Sequence, residues 1–267
     1  MGLYHQSFGS QDKPTLILLH GWGMNSSIWV SLLPRLTPYF HVTVVDLPGL
    51  GRSTGIEGVV TLEKVASSIV SELENSSAGL LAQPAYWLGW SLGGMVATQI
   101  ASQYPEKVCA LMTVASNPCF VQKEGWEYGM HPVMYRQFKA AIESSPQKTL
   151  SRFAMLQIQG GEGAKLILKQ IKAALADNQP TQLLATLALL ENDLRELLSK
   201  LNCPVLHMYG SEDYLVPKST IAAIQALTDA QQQAVCFQGA GHLPFLSASE
   251  DFLQAILVFT ESIKKHG

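Results

Sequence analysis

The chain has 267 residues, 47% of them apolar and 15% charged, with a formal net charge of −3 at pH 7. That length suits one large α/β domain, with or without an inserted subdomain, and the composition excludes a disordered chain. A charge so near neutral gives no reason to expect a nucleic-acid partner, and no apolar run is long enough to span a bilayer.

The chain opens on Met1 to Gln6, which has no basic stretch followed by an apolar run, so no signal peptide is read there. Thr15 to Leu19 is a continuous apolar run of strand length, the pattern of a strand buried on both faces of a parallel sheet. It runs into His20-Gly21-Trp22-Gly23. In open α/β sheets ligands bind at the C-terminal strand edge, where this loop falls. The Trp22 N–H is therefore a candidate oxyanion donor, and its ring a candidate wall of an acyl pocket. His20 is expected to order the loop by hydrogen bonding. Val42 to Asp46 is the next strand, and Leu47-Pro48-Gly49-Leu50-Gly51-Arg52-Ser53 a loop by its Pro and Gly content. Asp46 is read as tying that loop down and not as a catalytic acid. Thr61 to Leu73 carries apolar residues at 62, 65, 66, 69, 70 and 73, one face of a helix capped by Thr61.

Gly89-Trp90-Ser91-Leu92-Gly93 is a G-x-S-x-G pentapeptide. Ala85 to Leu88 before it reads as a buried strand, and Gly94 to Ala101 after it has helical spacing. That strand–turn–helix context makes Ser91 a nucleophile candidate. The turn forces unusual backbone angles on the serine, and Gly89 and Gly93 remove Cβ atoms that would collide. The first N–H groups of the helix, that of Leu92 foremost, point where an oxyanion would form. Val108 to Ala115 is a further buried strand. Repeated strand–helix alternation predicts a mostly parallel, doubly wound sheet.

The alternation stops after Ser116. From Asn117 to Asn192 the pattern is helical, about four short helices broken by Pro118, Pro132, Pro146, Gly160, Gly161 and Pro180. The expected organisation is a core of residues 1–116 and 193–267 with a helical lid, 117–192, over the active site. The lid has eight basic and six acidic residues, the remainder ten and fifteen. A basic lid on an acidic body suggests that an acidic partner approaches from the lid side. Lys148 and Arg152 are four apart, as are Lys165 and Lys169, with Lys172 three further on, so each set shares a helical face. Such faces are also the ordinary solvated sides of amphipathic helices.

The core resumes with the strand Pro204 to Tyr209. Asp213 follows at the same sheet edge as Ser91 and is preferred as the acid over its neighbour Glu212. Ser219 to Leu227 reads as a helix and Ala234 to Phe237 as the last strand, leading to His242 on a glycine-flanked loop. Ser247-Ala248-Ser249-Glu250 has the form of a capping box for a final helix to about Lys264. The other histidines are poorer bases: His5 and His266 are near the termini, His41 precedes a strand, His131 precedes a proline, and His207 is read as a satisfied core imidazole. Cys109, Cys119, Cys203 and Cys236 show no C-x-x-C spacing and read as thiols of a reduced compartment, not as disulfides or a zinc site. The expectation is a soluble cytoplasmic protein, and nothing in the sequence demands more than a monomer.

Ser91, Asp213 and His242 stand in the nucleophile–acid–base order of α/β-hydrolases. His242 would take the serine proton and return it to the leaving alcohol, Asp213 would fix the imidazole tautomer, and the Leu92 and Trp22 N–H groups would hold the oxyanion. This chemistry needs no metal and no organic cofactor. A serine nucleophile, in place of aspartate, argues against dehalogenase or epoxide-hydrolase chemistry.

The chain resembles the pimeloyl-[acyl-carrier protein] methyl ester esterases of bacterial biotin synthesis. The resemblance runs nearly end to end. It is carried by Leu18-Leu19-His20-Gly21-Trp22-Gly23, Val45-Asp46-Leu47-Pro48-Gly49 and Trp87-Leu88-Gly89-Trp90-Ser91-Leu92-Gly93-Gly94. Thr113 to Ser116 with Pro118-Cys119-Phe120, and Tyr209-Gly210 with Leu215-Val216-Pro217, add to it. It implies an α/β-hydrolase fold and a substrate whose pimeloyl methyl ester is carried on acyl-carrier protein. It also implies that Lys148, Arg152, Lys165 and Lys169 bind the acidic carrier. Phe153 and Gln157 match positions lining the acyl tunnel, so Trp22, Ser91, Leu92, Phe153, Gln157 and His242 are the implied substrate contacts. Lysine at carrier-binding positions keeps the charge but loses the bidentate grip of arginine. The alternatives are a general short-chain carboxylesterase without a carrier, a thioesterase or C–C hydrolase on the same triad, and a non-catalytic small-molecule receptor.

Overall fold

A computed structural model describes residues 2–176, 180–227 and 232–264. Residues 177–179 of the expected lid, and His266, lie outside the described residues. The chain runs β1 (His5–Phe8), β2 (Thr15–Leu19), α1 (Leu33–Leu36), β3 (His41–Val45), α2 (Leu62–Glu74), β4 (Ala85–Trp90), α3 (Leu92–Gln103) and β5 (Val108–Val114). Between β5 and the next strand come α4 (Pro132–Ser144), α5 (Pro146–Gln157), α6 (Ala164–Ala176), α7 (Leu183–Leu187) and α8 (Arg195–Ser199). The chain closes with β6 (Val205–Gly210), α9 (Ser219–Leu227), β7 (Gln232–Phe237), α10 (Pro244–Ser247) and α11 (Ser249–Lys264).

Among the described residues seven strands form one sheet in the order β1-β3-β2-β4-β5-β6-β7. All neighbours pair in parallel except β1, which runs antiparallel to β3, His5 opposite Val45 and Phe8 opposite Val42. The sheet is mostly parallel and doubly wound, as expected. The sequence reading did not find β1, which is four residues long and half-exposed at the sheet edge. β3 and β4 are buried along their whole length and β2 from Leu16 onward, because both faces of the sheet are packed. The apolar side chains divide into two large layers: Leu16, Leu18, Val42, Val44 and Leu88 pack on one face, Ile17, Leu19, Val45 and Trp87 on the other.

The periodicity of α2 appears as read: Leu62, Val65, Ala66, Ile69, Val70 and Leu73 are its buried residues, and the Thr61 hydroxyl accepts from Lys64 N at 3.3 Å. Pro132 and Pro146 open α4 and α5, where a missing N–H costs nothing. Two isolated bridges, Val121–Met130 and Lys123–Trp126, precede α4 in a stretch read as helical throughout. The capping-box reading of Ser247 is corrected. Ser247 ends the short helix α10, where its hydroxyl donates to Leu243 O, and the Ala248 carbonyl accepts the first bond of α11 from Phe252 N.

Candidate active site

Ser91 sits on the turn between β4 and α3 with φ 54° and ψ −118°, a conformation side chains rarely adopt. Its backbone N–H donates to Val114 O at 2.8 Å, and its carbonyl accepts from Gly94 N and from the Ser116 hydroxyl, each at 2.9 Å. Those bonds hold the strained turn. The two glycines serve different approaches. A Cβ on Gly89 would lie 2.1 Å from Gly93 O, across the turn itself, and one on Gly93 would lie 2.3 Å from Leu19 O, at the end of β2. α3 therefore begins hard against the adjacent strand, with the Leu92 N–H first in its run of unpaired donors.

His242 and Asp213 meet at the same edge. His242 Nδ1 and Asp213 Oδ2 are 2.8 Å apart, both side chains buried. The other carboxylate oxygen, Oδ1, accepts from Leu215 N at 2.8 Å and Val216 N at 3.1 Å, so the carboxylate is locked in plane. With Oδ2 as acceptor, Nδ1 carries the imidazole proton and Nε2 is left as the basic nitrogen. Nε2 is buried without a hydrogen-bond partner, and His242 and Ser91 line the same cavity. A Ser–His bond that forms only on substrate binding is common in unliganded hydrolases. The His242 carbonyl accepts from Trp90 Nε1 at 2.9 Å, tying the base to the residue before the nucleophile. Glu212 is turned away, its carboxylate accepting from the Ser211 hydroxyl.

The Trp22 loop lies alongside. The indole is buried, donates through Nε1 to Leu183 O at 3.0 Å, and packs edge-on against Phe138 and Phe153. His20 orders the loop as read: Nε2 accepts from Leu47 N at 2.9 Å, so Nδ1 is the donor to Gly21 O at 2.8 Å, and burial keeps the ring below its ordinary pKa. Asp46 is the loop tie read from the sequence, accepting from Ser26 N, Arg52 N and Arg52 Nε. His207 is a satisfied core imidazole between the Thr113 hydroxyl and Gln232 Oε1.

The cavity is lined by Trp22, Ser91, His242 and Leu215 from the sheet edge. Phe120, Val121, Met130, Tyr135, Phe138, Phe153, Leu187 and Leu190 come from the segment between β5 and β6. Its walls are apolar apart from the reacting groups, because the Tyr135 hydroxyl is engaged by Glu191 Oε1 and Leu187 O. Phe153 is a wall residue as expected; Gln157 is not. Gln157 is the last residue of α5, buried beside Ala154 and Ile158 as they enter the core, its Oε1 without a partner. Sequence reasoning did not single out Met130, Tyr135, Phe138, Leu187 and Leu190, since each carries only the signature of an ordinary amphipathic helix or apolar loop.

Lys148 and Arg152 stand exposed on α5, and Lys165 and Lys169 on α6, with Met155, Leu156 and Leu166 exposed on the same two helices. None of the four cations is in an ion pair among the described residues. No described helix is long and apolar enough to cross a membrane.

The sequence model of the alpha/beta hydrolase family matches residues 16–255. Among curated proteins, the pimeloyl-[acyl-carrier protein] methyl ester esterase of Proteus mirabilis is 39% identical over 98% of this chain and 97% of its own length. The protein of the same name from Pectobacterium carotovorum is 37% identical over 97% and 99%. Among solved structures, a bromoperoxidase from Bacillus anthracis superposes with a TM-score of 0.86 at 20% identity, covering 97% of this chain and 95% of its own. An esterase from Exiguobacterium antarcticum gives 0.86 at 22% identity with the same coverage. These two structures speak for the fold alone.

Proposed function

The chain belongs to the alpha/beta hydrolase family, and from that premise we propose that it is a serine carboxylesterase acting on the methyl ester of a pimeloyl chain carried by acyl-carrier protein. The observation that carries the reading is the buried Asp213–His242 pair, whose free Nε2 shares an apolar cavity with Ser91. The near full-length likeness to esterases of that name supports the substrate.

In this reading Ser91 Oγ attacks the ester carbonyl as His242 Nε2 takes its proton. Asp213 stabilises the imidazolium. The oxyanion is received by the Leu92 and Trp22 N–H groups, each worth about 3 kcal/mol of transition-state stabilisation. Collapse expels methanol, which takes the proton from His242. Water, deprotonated by the same nitrogen, then releases the free pimeloyl carboxylate from the acyl-serine. The walls suit a methylene chain, since each buried CH₂ contributes about 0.8 kcal/mol. A carboxylate finds no cation among those walls, which favours product departure. Side chains and water suffice, and one copy of the chain holds the triad and the cavity together. Residues 117–192 serve as a lid, and its exposed cations with the apolar side chains beside them form the docking face for an acidic carrier. A cytoplasmic monomer is part of the same reading.

The test is methanol release from pimeloyl-carrier-protein methyl ester beside free dimethyl pimelate, for wild type and Lys148→Glu/Arg152→Glu, with Ser91→Ala as the inactive control. Preference for the carrier-bound ester, abolished by charge reversal while the free ester is cleaved as before, supports the reading. Equal cleavage of both esters by both proteins would mark a general esterase.

A further inference from the structure

We infer that Gln182 is a positioning residue for the oxyanion loop, acting through Leu183 and Trp22. Gln182 lies immediately before α7, against the loop that follows β3. Its Oε1 accepts from Ile56 N at 2.9 Å and its Nε2 donates to Ile56 O at 2.7 Å. One side chain thus satisfies both backbone groups of one residue, as a neighbouring strand would. The backbone N–H groups of Thr181 and Gln182 both donate to Gly49 O at 3.0 Å. The slot has no slack: a Cβ on Gly55 would lie 2.4 Å from Gln182 Cδ, and one on Gly49 would lie 2.7 Å from Gln182 Cβ.

The next residue supplies the carbonyl that holds the Trp22 indole. On the other side, His20 Nε2 takes the N–H of Leu47, two residues before Gly49. The contacts therefore close a ring: Trp22 to Leu183, along the chain to Gln182, across to Gly49, back to Leu47, across to His20, and along to Trp22. A closed ring fixes the Trp22 N–H relative to the sheet more stiffly than either contact alone. The Gln182 side chain is not a link of that ring but braces it from outside: its amide clamps Ile56, in the loop whose Thr54 O accepts from Gly49 N at 3.1 Å, and only a side-chain amide of this length offers a donor and an acceptor at once.

The inference rests on the oxyanion role of Trp22 proposed above, and its test uses p-nitrophenyl acetate, which needs no carrier and whose acyl group is too short to depend on the distal walls. Gln182→Met keeps the length and removes the hydrogen bonds; Trp22→Phe keeps an aromatic side chain and removes the indole N–H. Rates are taken per active site, counted by labelling Ser91 with a fluorophosphonate. Each variant is expected to lower kcat by roughly tenfold with KM changing less, since a small misplacement of an oxyanion donor acts in the transition state. The double variant is expected to be no slower than the slower single one. Effects that multiply, or a normal kcat per labelled site in either single variant, overturn the inference. Turnover surviving in Ser91→Ala would instead overturn the serine-esterase reading, a separable result.

Discussion

Replacing Asp213 by asparagine isolates what the acid does. Oδ1 accepts two backbone N–H groups, from Leu215 and Val216, and only an oxygen can fill that place. Asparagine must therefore put its carbonyl there and turn its NH₂ toward His242 Nδ1. That nitrogen then becomes an acceptor, the imidazole proton moves to Nε2, and the atom facing the cavity with Ser91 is no longer a base. The fold is spared, since both backbone bonds survive. Asp213→Ala, by contrast, strands two buried donors at about 1–3 kcal/mol each. We expect Asp213→Asn to lower kcat by about 10³–10⁴-fold, which is roughly 5 kcal/mol of activation free energy. Its melting temperature should stay within a few degrees of wild type, and Asp213→Ala should melt well below both. Hydrolysis of p-nitrophenyl butyrate, with thermal unfolding followed by circular dichroism, reads both quantities. Asp213→Asn retaining activity within tenfold of wild type, or Glu212→Gln showing the larger loss, would refute the assignment.

The strain at Ser91 can be weighed directly. Ser91→Gly and Ser91→Ala should both be inactive, with the glycine variant melting higher, because strain of about 1–3 kcal/mol is relieved against a glycine entropy cost of up to about 1 kcal/mol; equal melting points would deny the strain. Gly93→Ala pushes a methyl into Leu19 O and should cost more than about 10²-fold in kcat by displacing the start of α3; a Michaelis analysis showing near-normal turnover would contradict the close approach. Burial pushes His207 down from 6.5 to about 4. Between those values the unfolded chain binds a proton that the folded chain refuses, so stability is full above the upper value and is lost as pH falls through the window. Urea midpoints measured from pH 7 to 4.5 should fall less steeply in His207→Gln than in wild type, and parallel curves would mean that this imidazole charges inside the fold.

The chemistry was legible in the sequence because it is local. Ser91 announces itself through two glycines at fixed offsets, and Asp213 and His242 through loops that follow apolar strands. The helix α2 was legible for a related reason, its apolar positions repeating every three or four residues. The cavity was not, because its walls converge only after folding. Tyr135, Phe138 and Leu187 come from two helices separated by some forty residues of chain, and each looks like core until its neighbour across the space is known. Gln157 shows the converse. It matched a tunnel position, yet α5 ends there against the core. β1 escaped because an edge strand of four half-exposed residues has too little apolar contrast to register. Gln182 gave no signal, since a glutamine beside a leucine-rich helix is commonplace and its partners lie 126 residues away.

The bond from the Trp90 indole to the His242 carbonyl has a mechanical consequence. Trp90 and Ser91 are consecutive, so the nucleophile and the base hang from adjoining links of one strand. Thermal bending of the sheet edge carries both in the same direction, a common-mode displacement that cancels in their separation. The gap across which the proton passes is thereby buffered against the breathing of the scaffold. Warming should therefore leave the geometry of the reaction intact for as long as this bond and the Asp213–His242 bond both hold.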